Sequence, residues 1–317
     1  MTEYLSTEIK PFFSIIIPMY NREKYIVECL DSIAAQIFKN YEIIVIDDNS
    51  SDSSIKLVED YPHEIILLKN SSNMGPAYSR QQGLNEAQGQ YITLLDSDDQ
   101  WFPWTLEVFA KIIEQTNKPS IVSLRCTLLN SEKPLTNEIN IPDIKFIISD
   151  DYYKFKIRYP EEWIPFNPIA ISRKTLLQGE GYNTDLNALE DFDFLLRHGI
   201  FGNHVLIDTP LMYKYRLHEG NQHKQNKNLR TSFNIILKSE QKGYYPGGKE
   251  KQKERWNLIT IVFRHEARMS ILYGNYKDAF YLYIKMFHFN LKLKRFKFIF
   301  GLPIYFLVFF LKKHLSV

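Results

Sequence analysis

Five short apolar runs, each closed by a turn residue, a charge or proline, punctuate the first ~125 residues and leave few folds open to the chain. They occupy residues 13–18 (FSIIIP), 41–47 (YEIIVID), 64–69 (EIILLK), 91–95 (YITLL) and 120–126 (SIVSLRC). Apolar runs this short, bounded by turn signals, read as buried strands. Between the first two, Tyr25, Ile26, Cys29, Leu30, Ile33, Ala34 and Ile37 recur at i, i+3 and i+4, the apolar face of a helix laid on a sheet. Asp52, Gly75-Pro76 and Pro103 mark the starts of three more helices. Strands alternating with helices through right-handed crossovers predict an α/β fold with a mostly parallel sheet flanked by helices.

Downstream the signals change. Residues 127–165 show little periodicity and several Pro and Asn, which predicts an irregular connection. A strand is expected over 169–172 and another over 205–207, with a helical pattern over 187–198. From about residue 228 the chain reads as a helical C-terminal extension, including helices over 256–273 and 276–289 joined at Gly274-Asn275. The expected division is a catalytic domain over 1–225, with halves 12–126 and 127–225, and a helical part over 226–317.

Charge and cysteine usage narrow the setting. The formal net charge is +2, but Asp278 is the last acidic residue. Lys285, Lys292, Lys294, Arg295, Lys297, Lys312 and Lys313 follow it, leaving 32 of the 39 basic residues against all 37 acidic ones upstream. An acidic body with a basic end suits attraction to an anionic surface. Cys29 and Cys126 lie far apart in apolar patterns, as buried small hydrophobes in a reducing compartment do, with a disulfide as the alternative. The opening MTEYLSTEIK lacks a signal-peptide layout, so a cytoplasmic protein is expected. No nucleic-acid partner is expected.

The chemistry concentrates at the ends of the strand-like runs. YITLLDSDDQW (91–101) passes from strand into Asp96, Asp98 and Asp99, and ligands of open α/β sheets bind beyond the carboxyl ends of strands. Crowded carboxylates repel one another unless a cation joins them, and a hard divalent ion that also grips phosphate oxygens fits. The run at 13–18 ends in Pro18-Met19-Tyr20-Asn21, and the one at 41–47 in Asp47-Asp48-Asn49-Ser50-Ser51-Asp52. Neither is a G-x-G-x-x-G loop, which disfavours a dinucleotide-binding dehydrogenase. An aromatic ring beside a carboxylate suits a nucleobase, the ring stacking and the carboxylate accepting an N–H. Packed loop aromatic and helix cap are the plainer readings of the same residues.

FSIIIPMYNREKYIVECLDSI, YEIIVIDDNSSDSS, NSSNMGPAYSRQQGL, GQYITLLDSDDQW and ALEDFDFLLRHG together resemble, in order over residues 12–220, the inverting family 2 glycosyltransferases of GT-A fold. The resemblance implies transfer of a sugar from a nucleotide diphosphate, a UDP-sugar above all, to a hydroxyl of a glycan or lipid-linked acceptor in cell-surface polysaccharide synthesis. It makes 12–126 the nucleotide-binding half and 127–225 the acceptor half. It implies that Pro18, Tyr20, Asn21, Asp48, Arg80 and Asp96 serve the nucleotide. Asp98, in the Asp96-Ser97-Asp98 DXD element, would bind Mg2+ or Mn2+. The family Asn that follows Arg80 is Gln81 here.

Glu190-Asp191 matches the family's acidic pair, with Asp191 as general base. A sugar hydroxyl is a poor nucleophile, so a positioned carboxylate must take its proton as it attacks. An acidic pair opening a helix also reads as a dipole partner. Glu190, Trp163 and Asn167 are candidates for acceptor contact or support. The segment from Tyr215 to His223 is similar to the family's loop over the diphosphate, making His218 a metal or phosphate ligand and Arg216 a supporting residue. Two other functions compete: a sugar-nucleotide pyrophosphorylase, disfavoured because no Gly-rich basic loop follows the first strand, and an inert nucleotide-sugar or glycan-binding module.

The last apolar stretch, residues 298–311 (FIFGLPIYFLVFFL), is short of the ~20 residues needed to span a bilayer and is interrupted by Gly301 and Pro303. With its basic flanks, segment 283–317 reads as a membrane-interface element at the inner face of the cell membrane, a helix docked on the domain, or a homodimer contact.

Overall fold

The computed structural model describes residues 10–128, 141, 143–160, 169–218 and 228–315. Its elements in chain order are β1 (Phe13–Met19), α1 (Ile26–Ala34), β2 (Tyr41–Asp47), α2 (Ser54–Glu59), β3 (Ile66–Lys69), α3 (Pro76–Glu86), β4 (Tyr91–Leu94), β5 (Gln100–Trp101) and α4 (Thr105–Gln115). There follow β6 (Ile121–Leu124), β7 (Cys126–Leu128), β8 (Lys145–Ser149), α5 (Tyr152–Arg158), β9 (Ile169–Ser172), α6 (Arg173–Gly179), α7 (Glu190–His198), β10 (His204–Thr209) and β11 (Tyr213–Tyr215). The chain closes with α8 (Leu229–Gln241), α9 (Gln252–Leu272), α10 (Tyr276–Lys292) and α11 (Phe296–Leu315).

Two compact units partition the chain. The first, residues 1–152 and 163–218, holds a large sheet of order β3-β2-β1-β4-β9-β6-β10-β8. The pairs β1·β2, β2·β3, β1·β4 and β10·β6 are parallel, while β9 runs antiparallel to both β4 and β6. The expected mostly parallel sheet is therefore present, with one reversed strand at its middle. Phe13 pairs in register with both Tyr41 and Tyr91, so β1, β2 and β4 start together and point their carboxyl ends toward one edge, β1 and β2 ending level at Met19 and Asp47. That shared edge is where the loops bearing Tyr20, Asp48 and Asp96 emerge.

Packing explains the alternation. On α1, Ile26, Cys29, Leu30 and Ile33 are all buried, as their spacing requires. Gly83 of α3 lets that helix settle on the sheet, since a Cβ there would lie 2.5 Å from Ile16 Cγ2. The described residues of segment 127–165 are more regular than the sequence suggests. Within it β8 adds an edge strand antiparallel to β10, and α5 begins at Tyr152, where burial among neighbours takes over from the weak local pattern. A second, three-stranded sheet pairs Tyr213 of β11 with Trp101 and with Cys126.

The second unit, residues 153–162 and 219–317, carries α8 to α11. Its interior ion pair joins Arg255 Nε to Glu240 Oε2 at 2.5 Å, and Trp256 stacks on Phe289 at 3.8 Å. Gly301 and Pro303 do not interrupt α11. Proline lacks the N–H that would bond the carbonyl four residues back. That carbonyl, on Ile299, instead accepts the Tyr283 hydroxyl at 2.9 Å, which fastens α11 to α10 and compensates for the missing bond. Among the described residues no helix is long and apolar enough to cross a membrane.

Candidate active site

The loop after β2 is built to hold a carboxylate still. Asp47 accepts the backbone N–H of Ser50 at 3.0 Å, and the N–H of Asp48 bonds the Met19 carbonyl at 2.8 Å. Asp48 Oδ1 accepts Met74 N–H and Asn70 Nδ2, and Oδ2 accepts Gly75 N–H, each at 2.8 Å. Asp48 thus closes the turn that begins α3, where Gly75 adopts φ +87° and Pro76 starts the helix. Asn21, at φ 51°, donates its N–H to Ser50 Oγ and accepts Ser51 N–H, so the loops after β1 and β2 are laced together. Tyr20 stands exposed beside them. Pro18 accepts Ser97 Oγ on its carbonyl at 2.8 Å, tying the end of β1 to the acidic turn after β4.

That turn gathers three carboxylates. Oxygens of Asp96, Asp98 and Asp99 lie within 4.8 Å of one another. Asp98 Oδ2 receives Arg22 Nε at 3.1 Å and faces His218 Nε2 at 2.9 Å. Asp99 accepts the Tyr213 hydroxyl and, at 2.7 Å, the backbone N–H of Arg216. Burial, with the like charges of Asp96 and Asp98 adding to it, pushes the Asp99 carboxyl up to about 8. Arg216 bonds the Asp98 carbonyl at 2.9 Å and pairs with Glu28. Tyr25 packs against both side chains, 5.0 Å from the His218 ring and 5.0 Å from the Arg216 guanidinium. The donor set, clustered carboxylate oxygens plus one imidazole nitrogen, suits a hard divalent ion, and the excess negative charge is what such an ion would relieve.

Arg80 joins this cluster to a second one. Its guanidinium reaches Asp96 at 3.1 Å, Glu190 at 3.0 Å and Asp191 at 3.1 Å, with only 5% of the side chain exposed. Glu190 and Asp191 open α7, where carboxylates face the positive end of the helix dipole. Burial raises the Asp191 carboxyl well above the ordinary range; Arg80 opposes the rise, and Glu190 and Asp96 add to it. Asp193 is turned to structural use, fully buried and bonded by Arg197 Nε at 2.6 Å.

Pro18, Tyr20, Asn21, Asp48, Arg80, Asp96, Asp98, Glu190, Asp191, Arg216 and His218 all lie in the first unit. Arg80 draws Asp96, Glu190 and Asp191 together, and Arg22 and His218 meet on Asp98. Trp163 and Asn167 fall outside the described residues. Three further contributors went unread in the sequence: Arg22, Tyr25 and Tyr213. Arg22 was signalled by adjacency to Asn21. Tyr25 resembles any helix-face aromatic, and Tyr213 meets Asp99 only through the β5·β11 pairing.

The sequence profile of glycosyl transferase family 2 matches residues 14–176. An uncharacterized glycosyltransferase of Haemophilus influenzae is 28% identical over 208 residues, 65% of each chain. The poly(ribitol-phosphate) beta-N-acetylglucosaminyltransferase TarS of Staphylococcus aureus is 28% identical over 222 residues, 67% of this chain but 36% of TarS. The chain thus spans less than two thirds of the length of either relative. Among solved structures, S. aureus TarS 1-349 in complex with UDP-GlcNAc superposes with a TM-score of 0.64 at 21% identity, covering 80% of this chain and 72% of that one. A Pyrobaculum calidifontis mannosyltransferase in complex with GDP-Man and Mn2+ gives 0.50 at 17% identity, with 95% and 87% covered.

Proposed function

The chain belongs to glycosyl transferase family 2, and we propose that it transfers a sugar from a UDP-sugar, with inversion, to a hydroxyl of a glycan or lipid-linked acceptor in cell-surface polysaccharide synthesis. The observation that carries this reading is the Arg80 bridge, which ties a carboxylate of the acidic triad to the acidic pair on α7. Donor-side and acceptor-side chemistry then share one cation.

Tyr20 offers its exposed ring to the base, and Asp48 is the proposed acceptor of a base N–H. Pro18 and Asn21 shape that pocket, and Asp96 lies toward the ribose. Asp98 and His218 would hold Mg2+ or Mn2+, with Asp99 behind them. The ion, when bound, neutralises charge developing on the departing diphosphate. Asp191 takes the acceptor hydroxyl's proton as the oxygen attacks the anomeric carbon from the face opposite the leaving group. Burial raises its proton affinity, the direction in which a carboxylate becomes a better base. Glu190 and Arg216 support from the two sides, and Trp163 and Asn167 are the proposed acceptor contacts.

Asp191→Asn separates this reading from a binding module. The variant should keep its affinity for UDP with Mn2+ in a thermal-shift titration and lose roughly 10²- to 10⁴-fold in transfer rate. A UDP-sugar turnover unchanged by the substitution would sink the assignment. GDP and dTDP, run in the same titration, decide the base.

A further inference from the structure

The helical unit carries an apolar surface that its own fold leaves open. On α10, Phe280, Ile284, Phe287 and Leu291 repeat at i, i+4, i+7 and i+11, so they form one stripe along the helix, and all four are exposed, Phe280 at 67% and Ile284 at 53%. On α11 a similar stripe recurs in Phe296, Phe300, Ile304 and Leu307, at i, i+4, i+8 and i+11, with Phe300 at 66% and Ile304 at 62%. The opposite faces are spent on the fold: Ala279, Leu282, Met286, Ile299 and Leu302 are buried. Isolated exposed hydrophobics are ordinary, but two regular stripes on paired helices need a cover.

The charges nearby choose the occupant. At 100° per residue, Lys277, Lys285 and Lys292 run along one edge of the α10 stripe, and Lys294 and Lys297 follow at the turn into α11. No Asp or Glu occurs after Asp278. Arg230, Lys277, Phe280, Tyr281, Ile284 and Lys285 line a shallow groove of about 340 Å³. Arg230 there is neutralised by Asp278 at 2.6 Å, whereas neither lysine has a carboxylate partner among the described residues. A second copy of so basic a face would repel the first. An anionic lipid surface meets both demands, since the apolar stripe enters the acyl boundary while lysines reach the phosphates. We propose that the α10–α11 hairpin docks this protein on anionic bilayers through the Phe280–Leu291 stripe and its lysine edge. The docking is independent of sugar transfer and needs no donor.

Flotation of the full-length protein with vesicles provides the test. Binding is expected to phosphatidylcholine vesicles containing one part in three of phosphatidylglycerol, and to be at least tenfold weaker to phosphatidylcholine alone or in high salt. Lys285→Glu with Lys292→Glu should weaken binding by about fivefold or more per residue changed. Phe280→Ser, Ile284→Ser and Leu291→Ser together should abolish it. All three are exposed, so unfolding midpoint and UDP binding should be unchanged, which separates loss of docking from loss of fold or site. Equal binding to both vesicle types, no binding to either, or a dimer in light scattering that the triple substitution splits would overturn the proposal.

Discussion

Arg80→Met is the substitution that most directly probes the candidate site. It removes the one guanidinium shared by Asp96, Glu190 and Asp191. Gross attraction for charges about 4 Å apart is roughly 4 kcal/mol per pair at an effective dielectric of 20. Much of that is offset by desolvation of the arginine, so the gross sum is not the net effect. Stripping one partner from a buried pair typically costs about 3–5 kcal/mol, and Asp96 and Asp191 are 32% and 25% exposed, so water relieves part of it. We expect a loss of about 3 kcal/mol in denaturant unfolding at pH 7. The titration should move as well. Arg80 is what opposes the upward shift of Asp191, so without it the carboxyl climbs further and the acid limb of the transfer rate shifts to higher pH. Arg80→Lys restores the charge but, as a point donor, cannot span three carboxylates, and should recover stability only in part. A change under about 0.5 kcal/mol for Arg80→Met, together with an unmoved acid limb, would refute the shared-cation argument.

Other outcomes follow from the interior. Burial holds His198 down at about 4 and His204 at about 3, against an ordinary 6.5. Both folded-state values are depressed, so their contribution to stability is complete above pH 6.5 and is lost as pH falls toward 4. Near pH 5 the unfolded chain binds about two more protons, against about one at pH 6.5, so the slope grows to roughly 2.7 kcal/mol per pH unit, and His204→Gln should about halve it in unfolding curves taken around pH 5. At Gly89 an added Cβ would sit 2.5 Å from Ser14 N and 2.7 Å from Phe13 C, backbone of the central strand, so Gly89→Ala should cost about 1–3 kcal/mol by denaturant titration. Gly301→Ala meets nothing within 4 Å on α11 and should leave stability unchanged or raise it by up to about 1 kcal/mol. The Cys29 thiol, buried and pushed upward by burial and then by Asp99, should resist alkylation until the chain unfolds, as site-resolved mass spectrometry would read.

Much of this was legible because the information is local. A strand buried on both faces must be apolar along its length, so runs such as SIIIP and IIVID announced β1 and β2 to within a residue. A helix on a sheet must repeat its apolar contacts, so Cys29, Leu30 and Ile33 announced α1. The polar residues that close each run, Tyr20, Asp48, Asp96 and Asp98, followed from the same punctuation. Within segment 127–165, β8 was not legible because it draws on β10, a neighbour distant in sequence, rather than on its own periodicity, and α5 likewise lacks a strong local pattern. That the expected C-terminal helix runs on through Pro303 also depends on a distant partner: the carbonyl the proline orphans is bonded by Tyr283, sixteen positions from Ile299, and no local rule anticipates that.

The sequence by itself determined the alternation of strand and helix, the family to which the chain belongs, and the identity of the acidic turns. Only the tertiary structure decided which charges meet. Arg80 on α3 reaches across to the start of α7, 111 residues away from it at Asp191, from a helix that lies against β1 and β2. Tyr213 and His218 reach Asp99 and Asp98 because β11 pairs backward onto β5. Ion pairs and hydrogen bonds act over a few ångströms in space and carry no trace of their partners in the intervening chain, so backbone pairing and packing must be known before the electrostatics can be read.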